Sequence, residues 1–584
     1  MSVIEKGKLK IDPAINPAIL NTGTWDFESI ISRVKAIPED FFNKIANQLN
    51  VSGNNTDLSY SSVTCFSGSI APLQGAIYAL LEFPDKQSAF IMLKKTETDE
   101  VLKESFYTMS FPSELNIMLY PTTSDNIYLY VNKVHYKKGP HPLGSIPRLG
   151  IGVRHTTTLW PGIWNAMYKG DFSANAIQNS VRELHLLETL TNGLPARKNH
   201  LFSFGTVEEG HTGSTFEGLW TEGVLSAIKR PYNVRYGADA DHLQVKRGNE
   251  SIERTKQFID ASRYYTFYTL DVSDILNYEA LSAFSANNSI QYIEDLILNK
   301  NERNDIIWYH KQKKTLGKQY IEHDEAQIGR LVGKYWKALN AVEELYKYIE
   351  SIKNGEKFDL ELSIDENPPF IRTFDSITTY AELLFLVDEI ERRGLPISHI
   401  APNFGVEKGT DYRGDDGKAM FENRISILHK IASEKNIMLD CHSGDDLSRE
   451  TRRIFNRATG GNIHFKISPS LQVLYAEVLS EIEPELFEFW WKDTLAYAEN
   501  SAQNGSPFAK YSLSLLKRSS SETPSPHHLF FKELCFATLG KRDQEGHFIN
   551  REKFYDLSEE FYSEMKSRTE QKILEVADDL FNLA

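Results

Sequence analysis

KFDLELSIDE, residues 357–366, decides the fold. Its parity puts Phe358, Leu360, Leu362 and Ile364 on one face and Asp359, Glu361, Ser363 and Asp365 on the other, as the two-residue side-chain period of a strand requires. A strand of an ordinary parallel sheet is covered on both faces and reads as a nearly continuous apolar run. An apolar face set against helices, with carboxylates turned inward, is instead the pattern of a barrel whose interior carries chemistry. NIHFKIS (462–468) repeats it, separating Ile463, Phe465 and Ile467 from His464, Lys466 and Ser468.

Outward from these strands the same alternation of short apolar segments and longer charged, helix-like stretches continues. LGIGVRH (149–155), NVRYGADADH (233–242), YTFYTLDVSD (265–274), ISHIAPNFG (397–405) and NIMLDCHSG (436–444) bring the candidate strands to seven, and YSLSLL (511–516) is an eighth candidate. Strands alternating with crossover helices predict an α/β fold, most economically a TIM-like (β/α) barrel. TYAELLFLVDEIERRG and NRISILHKIASEKN have the apolar spacing of scaffold helices. The stretch 283–345 is long for one crossover and predicts an insertion.

Residues 1–147 read as an N-terminal α+β region, in which NIYLYVNKVHY (126–136) is expected to be a strand and KKGPHPLGSIPRLG (137–150) a connector. The barrel is assigned to 148–480, and 481–584 to a helical C-terminal extension packed on it.

Composition narrows the function. Eighty acidic against sixty-five basic residues give a net charge of −15 over 584 residues, which argues against a nucleic-acid partner. Apolar runs such as Ala381–Val387 are too short and too interrupted by charge to span a membrane. The N-terminus MSVIEKGKLKID is charged where a secretory signal is apolar, so a cytoplasmic protein is expected. The cysteines Cys65, Cys441 and Cys535 are too few for a disulfide framework or a Cys-rich zinc module. No GxGxxG or GxxxxGK[ST] spacing occurs, which leaves bound nicotinamide or ATP without support.

Barrel chemistry sits at the C-terminal ends of the strands. His242, His442 and His464 come from three such strands, and three imidazoles suit a borderline divalent metal cation, Zn, Mn or Ni, with coordination positions left for substrate oxygens. Asp241 and Glu361 are then candidates for general base and acid. Asp239 and Asp365 are candidate substrate contacts, and Arg154, Arg235 and Lys466 candidate carboxylate anchors. His323-Asp324-Glu325 and His527-His528 are read as solvated faces, and Cys441 as a packing residue.

YGADADH (236–242), ELSIDE (361–366), AP-x-F (401–404) followed by EKG-x-DY-x-GD (407–415), HSG-x-D (442–446) and ATGG-x-xH-x-K (458–466) occur in an order that resembles the tagaturonate epimerase family. The resemblance runs from about residue 150 to 584. It implies an isomerase, a metal-dependent barrel interconverting D-tagaturonate and D-fructuronate, with Asp241 as base and His242, His442 and His464 on the metal. Glu361 is the preferred match for the proton donor and Asp365 the second. A small-molecule sugar acid is the expected partner, and a homo-oligomer is compatible with the chain.

The chain departs from the family pattern at Val153, Asn403 and Leu447, and at Ile467-Ser468-Pro469. An arginine and a lysine able to hold a carboxylate are thereby lost, so the epimerase chemistry is better determined than the sugar acid. The two ketouronates differ at a carbon β to the ketone, which enolisation alone cannot invert. Retro-aldol cleavage, rotation of the aldehyde and re-addition can. An aldolase that releases its fragments and a sugar-acid sensor without turnover are the competing readings.

Overall fold

In the computed structural model, KFDLELSIDE contributes a fully buried barrel strand, Asp359–Ser363. The structure describes residues 3–583 except 22, 49–55, 202–204, 249–250, 283–284, 317–318, 367–370, 408–409, 443 and 519–522. Lys408, Gly409 and Ser443 of the motifs above therefore lie outside the described residues. Eight parallel strands close a barrel in chain order: β1 (Arg148–Gly152), β2 (Ser173–Ser180), β3 (Tyr236–Gln244), β4 (Phe267–Asp271), β5 (Asp359–Ser363), β6 (His399–Ala401), β7 (Met438–Cys441) and β8 (His464–Ile467). β8 pairs back to β1, with His464 opposite Arg148.

The seven strands expected from sequence are in place, and the eighth differs. YSLSLL lies in the helix Pro507–Arg518, with Ala509 and Ser512 on its buried face. The missing strand is β2, SANAIQNS, whose eight residues are all buried. NIYLYVNKVHY is likewise helical rather than extended. Thr123 caps Ser124–Leu129 by accepting from the Asn126 amide, and a π-turn over Tyr130–Val134 follows. Ile127, Tyr130 and Val131 are buried at helical spacing, and that spacing with the cap outweighs the β propensity of the tyrosines and valines.

The parity argument holds for β5. Phe358 packs edge-on against Tyr268 and near Tyr346 of the helix Glu325–Lys353, whereas Asp359, Glu361 and Ser363 are buried. Asp359 is held by Arg148 Nη1 at 3.0 Å and by the backbone amides of Leu143 and Gly144. The long stretch after β4 is an insertion as expected. Helices Ala286–Leu296 and Lys300–His310 and the hairpin Lys314–Leu316/Gln319–Ile321 precede the crossover helix Glu325–Lys353. Asp324 caps that helix, and His323, read above as solvated, is buried at 3% exposure.

The chain divides into two compact units. One comprises Met1–His141, Gly152–Ala238 and Pro469–Leu574. Its N-terminal part is a seven-stranded sheet with helices Phe27–Lys35 and Glu39–Gln48, sharing a core of Ile30, Val34, Phe42, Ile45, Ile91 and Leu119. Its C-terminal part is helical, from Pro469–Ile482 to Glu559–Phe581. Buried Arg551 ties it together by donating to the Thr212 and Pro17 carbonyls and to Ser214 Oγ. The other unit comprises Pro142–Ile151, Asp239–Ser468 and Glu575–Ala584, and holds most of the barrel strands. No helix among the described residues is long and apolar enough to cross a membrane.

Candidate functional site

Every residue of the candidate site lies between Asp239 and Lys466. β3 delivers Asp239, Asp241 and His242. Its register against β4 slips between Ala240 and Leu243, and His242 there takes φ 48°, a left-handed conformation that is strained for a residue with a Cβ. A bulge of this kind re-aims a side chain at the end of a strand. It brings the His242 ring within 4.7 Å of the His442 ring, centroid to centroid.

Both imidazoles have a carboxylate at Nδ1: Asp271 Oδ2 at 3.1 Å from His242 and Asp365 Oδ1 at 3.1 Å from His442. His442 Nε2 lies 2.8 Å from Glu361 Oε1 and 3.4 Å from Asp440 Oδ2. His242 Nε2 lies 3.9 Å from Asp241 Oδ1. Candidate ligand atoms of Asp241, His242 and His442 all lie within 4.8 Å of one another, as do those of Glu361, Asp440 and His442 and those of His242, Asp271 and Glu366. Paired imidazoles with buried carboxylates, each ring oriented through its second nitrogen, are a donor set that fits a divalent cation.

His464 is placed differently. Its Nδ1 lies 2.8 Å from Asp440 Oδ2, its ring is 5.3 Å from that of His399, and it belongs to none of these groups among the described residues.

Lys466 is the electrostatic centre. Its Nζ donates to Asp241 Oδ1 at 2.8 Å and Thr269 Oγ1 at 2.9 Å, and lies 3.3 Å from Asp239, 3.4 Å from Glu361 and 3.5 Å from Asp440. Thr269 in turn donates to Asp239 at 3.1 Å. Burial alone would strip the proton from this ammonium, but the surrounding carboxylates hold its pKa well above the ordinary lysine value.

The carboxylates separate into two kinds. Burial, reinforced by Asp440, pushes Glu361 well above the usual range, and burial takes Asp239 up to about 7 against the pull of Lys466. Asp241 is equally desolvated, yet Lys466, His242 and His442 draw its pKa below the ordinary value. Asp440 is drawn well below despite burial, by His464, Lys466 and His442. His442 itself is raised well above its ordinary value against burial, through Asp365, Glu361 and Asp440. Burial lowers His464 to about 4, opposed by Asp440.

Of the residues singled out in the sequence, Asp239, Asp241, His242, Glu361, Asp365, His442 and Lys466 are thus brought together. Arg154, in the other unit, is occupied by Glu183 Oε1 at 2.6 Å and Gln472 Oε1 at 2.7 Å. Arg235 lies 3.7 Å from Asp171 with its side chain 59% exposed. Asp271, Asp440 and Thr269 were not chosen from sequence. Their signal was there, since each occupies the end or inward parity of an identified strand. Cys441 is buried, in keeping with a packing role.

Fold and donors together define a (β/α)8 barrel with a buried imidazole–carboxylate site. A model of the tagaturonate epimerase family, UxaE, matches residues 204–512, more than half of the chain, and the chain belongs to that family. It is 28% identical to a tagaturonate/fructuronate epimerase of Thermotoga maritima over 301 residues, covering 51% of this chain and 57% of that relative. The match therefore spans a little over half of that curated relative's length. The fold is also that of fructuronate-tagaturonate epimerase UxaE from Cohnella laeviribosi. The glycerol-bound crystal structure has TM-score 0.64 at 19% identity, over 95% of this chain and 99% of that one. The native crystal structure has TM-score 0.63 at 18% identity, over 94% of this chain and 100% of that one.

Proposed function

We propose that this chain is a divalent-metal-dependent epimerase that interconverts D-tagaturonate and D-fructuronate, or a closely related ketose pair, by inverting the hydroxyl-bearing carbon β to the ketone. Family membership supports the reaction class. The observation that carries the residue roles is the meeting of Asp241 and Glu361 on one ammonium, Lys466 Nζ, at 2.8 and 3.4 Å beside the His242–His442 pair. In this reading residues 148–480 carry the chemistry, with 1–147 and 481–584 as flanking regions.

The hydrogen on a carbon β to a ketone is not acidified by it, so inversion proceeds through carbon–carbon cleavage. Asp241 Oδ accepts the proton of the β-hydroxyl. The bond between the α and β carbons breaks, the β carbon becomes an aldehyde, and the bonding pair passes to the other fragment as an enediolate. The aldehyde turns over and the bond re-forms on its opposite face. Glu361 then delivers a proton to the new alkoxide, and nothing is oxidised or reduced overall. Lys466 fixes both carboxyl groups at hydrogen-bonding distance from the same point, and Asp365 is the second choice for the donor.

His242 and His442 would hold a Zn, Mn or Ni ion with a carboxylate oxygen of the same cluster, while His464, 2.8 Å from Asp440, serves that carboxylate instead. The cation, when bound, supplies electrophilic stabilisation of negative charge on the substrate oxygens. Asp271 sets the tautomer of His242, so Asp271→Asn is expected to weaken divalent-cation affinity by about 10–100-fold. Calorimetric titration of the chelator-treated protein checks this, and unchanged affinity would remove Asp271 from the metal's support.

The overall test is metal analysis of the purified protein followed by incubation with D-tagaturonate and NMR of the products. D-Fructuronate without free fragments is the expected result. Accumulating fragments would make the protein a lyase, and substrate bound but never converted would make it a sensor.

A further inference from the structure

His442 follows the last residue of β7, and the chain then leads into the helix Arg449–Thr459. On the way the Leu447 amide donates to the Gly444 carbonyl and the Ser448 amide to Asp411 Oδ1 at 3.0 Å, while Ser448 Oγ caps the helix by accepting from Thr451. Gly444 packs so close to the Phe465 ring of β8 that a Cβ would collide with it. The Leu447 carbonyl accepts from Arg452 Nη1 at 2.6 Å.

Arg452 is 3% exposed, and its other donors are anchored near the end of the C-terminal helix Glu559–Phe581. Nε and Nη2 both donate to Asp579 Oδ2, at 3.0 and 2.8 Å, and Nη2 also reaches Glu575 Oε1 at 2.9 Å. A guanidinium is a rigid planar fork, so fixing two of its nitrogens on Asp579 fixes where the third one points. Buried Asp579 thereby sets the position of a backbone carbonyl five residues beyond His442.

Holding the helix end does not need that contact. Arg449 and Arg453 donate to Asp579 Oδ1 at 3.2 and 3.0 Å, and Asn456 Nδ2 donates to the Asp579 carbonyl and to Asn582 Oδ1 at 3.1 and 2.9 Å. Among these contacts, the one from Arg452 to Leu447 bears on the loop. All of these residues belong to the unit that holds most of the barrel strands.

We propose that Asp579 and Arg452 are positioning residues, which hold the loop after β7 so that the His442 ring stays aimed at the divalent cation. This rests on the metal-dependent reading above and extends it to the C-terminal helix. A group that orients a metal ligand without touching the metal adds affinity, because less freedom is lost when the ion binds.

The test titrates the full chain, freed of metal by chelator, with Mn2+ by calorimetry at a temperature where every variant remains folded. Arg452→Lys keeps the charge but not the fork, and Asp579→Asn keeps the shape but not the ionised acceptor. Each is expected to weaken Mn2+ affinity by about tenfold, the lower end of the effect of losing an outer-shell partner, and to shift the visible absorption of the Co2+-loaded protein. Arg453→Gln removes a partner of Asp579 from the helix contacts and should leave affinity and spectrum unchanged. In the Arg452→Lys background, Asp579→Asn should cost no further affinity, because the two residues act through one bond. A lower melting temperature with wild-type affinity and spectrum in both Arg452→Lys and Asp579→Asn overturns the proposal and leaves a clamp on the helix end. Equal loss of affinity in Arg453→Gln overturns it as well. Wild-type protein that binds no divalent cation removes the metal-dependent reading, and the proposal with it.

Discussion

Glu361→Gln is expected to lower kcat by about 10²–10⁴-fold while the protein keeps its fold and its bound metal. The substitution is nearly isosteric, and the amide oxygen can occupy the Oε1 position that faces Lys466 Nζ at 3.4 Å. What it cannot do is release a proton to an alkoxide. The wild-type carboxyl is suited to that step because burial and Asp440 hold its pKa well above the ordinary value, whereas Asp241, on the same ammonium, is drawn the other way. Environments that push paired carboxyl groups apart in this manner divide acid from base.

The same shift predicts the stability of the chelator-treated protein. A folded-state pKa above the unfolded value contributes stability that is present below the unfolded pKa and lost as pH rises through the folded one. Glutamine does not titrate, so the variant should gain on wild type in melting temperature as pH increases. Metal content by elemental analysis, single-turnover rates and melting curves across pH check the three parts. Wild-type turnover would remove Glu361 from the mechanism, and loss of the metal would make it a ligand.

How much of this was legible in the sequence depended on whether polarity or packing wrote the signal. β5 and β8 announce themselves because inward carboxylates, a lysine and a histidine alternate with aliphatic residues. β2 does not, because Ser173, Asn175, Gln178, Asn179 and Ser180 are buried polar groups mixed with alanines, and no period-2 contrast survives. Asn126–Tyr136 was misread for the opposite reason. Its aromatic and β-branched content is strand-like, and only the Thr123 cap and the buried face of Ile127, Tyr130 and Val131 fix the helix.

In the site, strand ends identified His242 and His442 but could not give height along the barrel axis. β7 and β8 pair with His464 opposite Asp440, and His442 stands two residues beyond Asp440. At about 3.3 Å per residue this sets the backbone of His464 two residues below that of His442, with its ring beside Asp440 and His399. Register between strands is a tertiary property, and no motif spacing encodes it. For the same reason nothing in the sequence marks Asp271 as the group whose Oδ2 lies at the ring nitrogen of His242.

Lys466→Met tests the charge balance of the whole site and is expected to cost about 3–5 kcal/mol of stability at neutral pH. Methionine nearly fills the volume of the aliphatic stem, so the loss is electrostatic. Asp239, Asp241, Glu361 and Asp440 would face one another without the ammonium that now lies within 3.5 Å of each. Asp241 and Asp440, which Lys466 now helps to hold below their ordinary values, would be released upward to join Glu361 and Asp239, already raised, and the sign follows. The variant should approach wild type below the unfolded carboxylate range and fall away from it as pH rises toward neutrality. A divalent cation binds only the folded site, so it stabilises by mass action, and the more negative cavity should bind it more tightly. Added Mn2+ is therefore expected to raise the melting temperature of Lys466→Met by more than that of wild type. Melting curves of both proteins across pH, with and without the metal, measure each arm. A variant as stable as wild type at pH 7, or one deaf to the cation, would show that the four carboxylates are not gathered around Lys466 as charges.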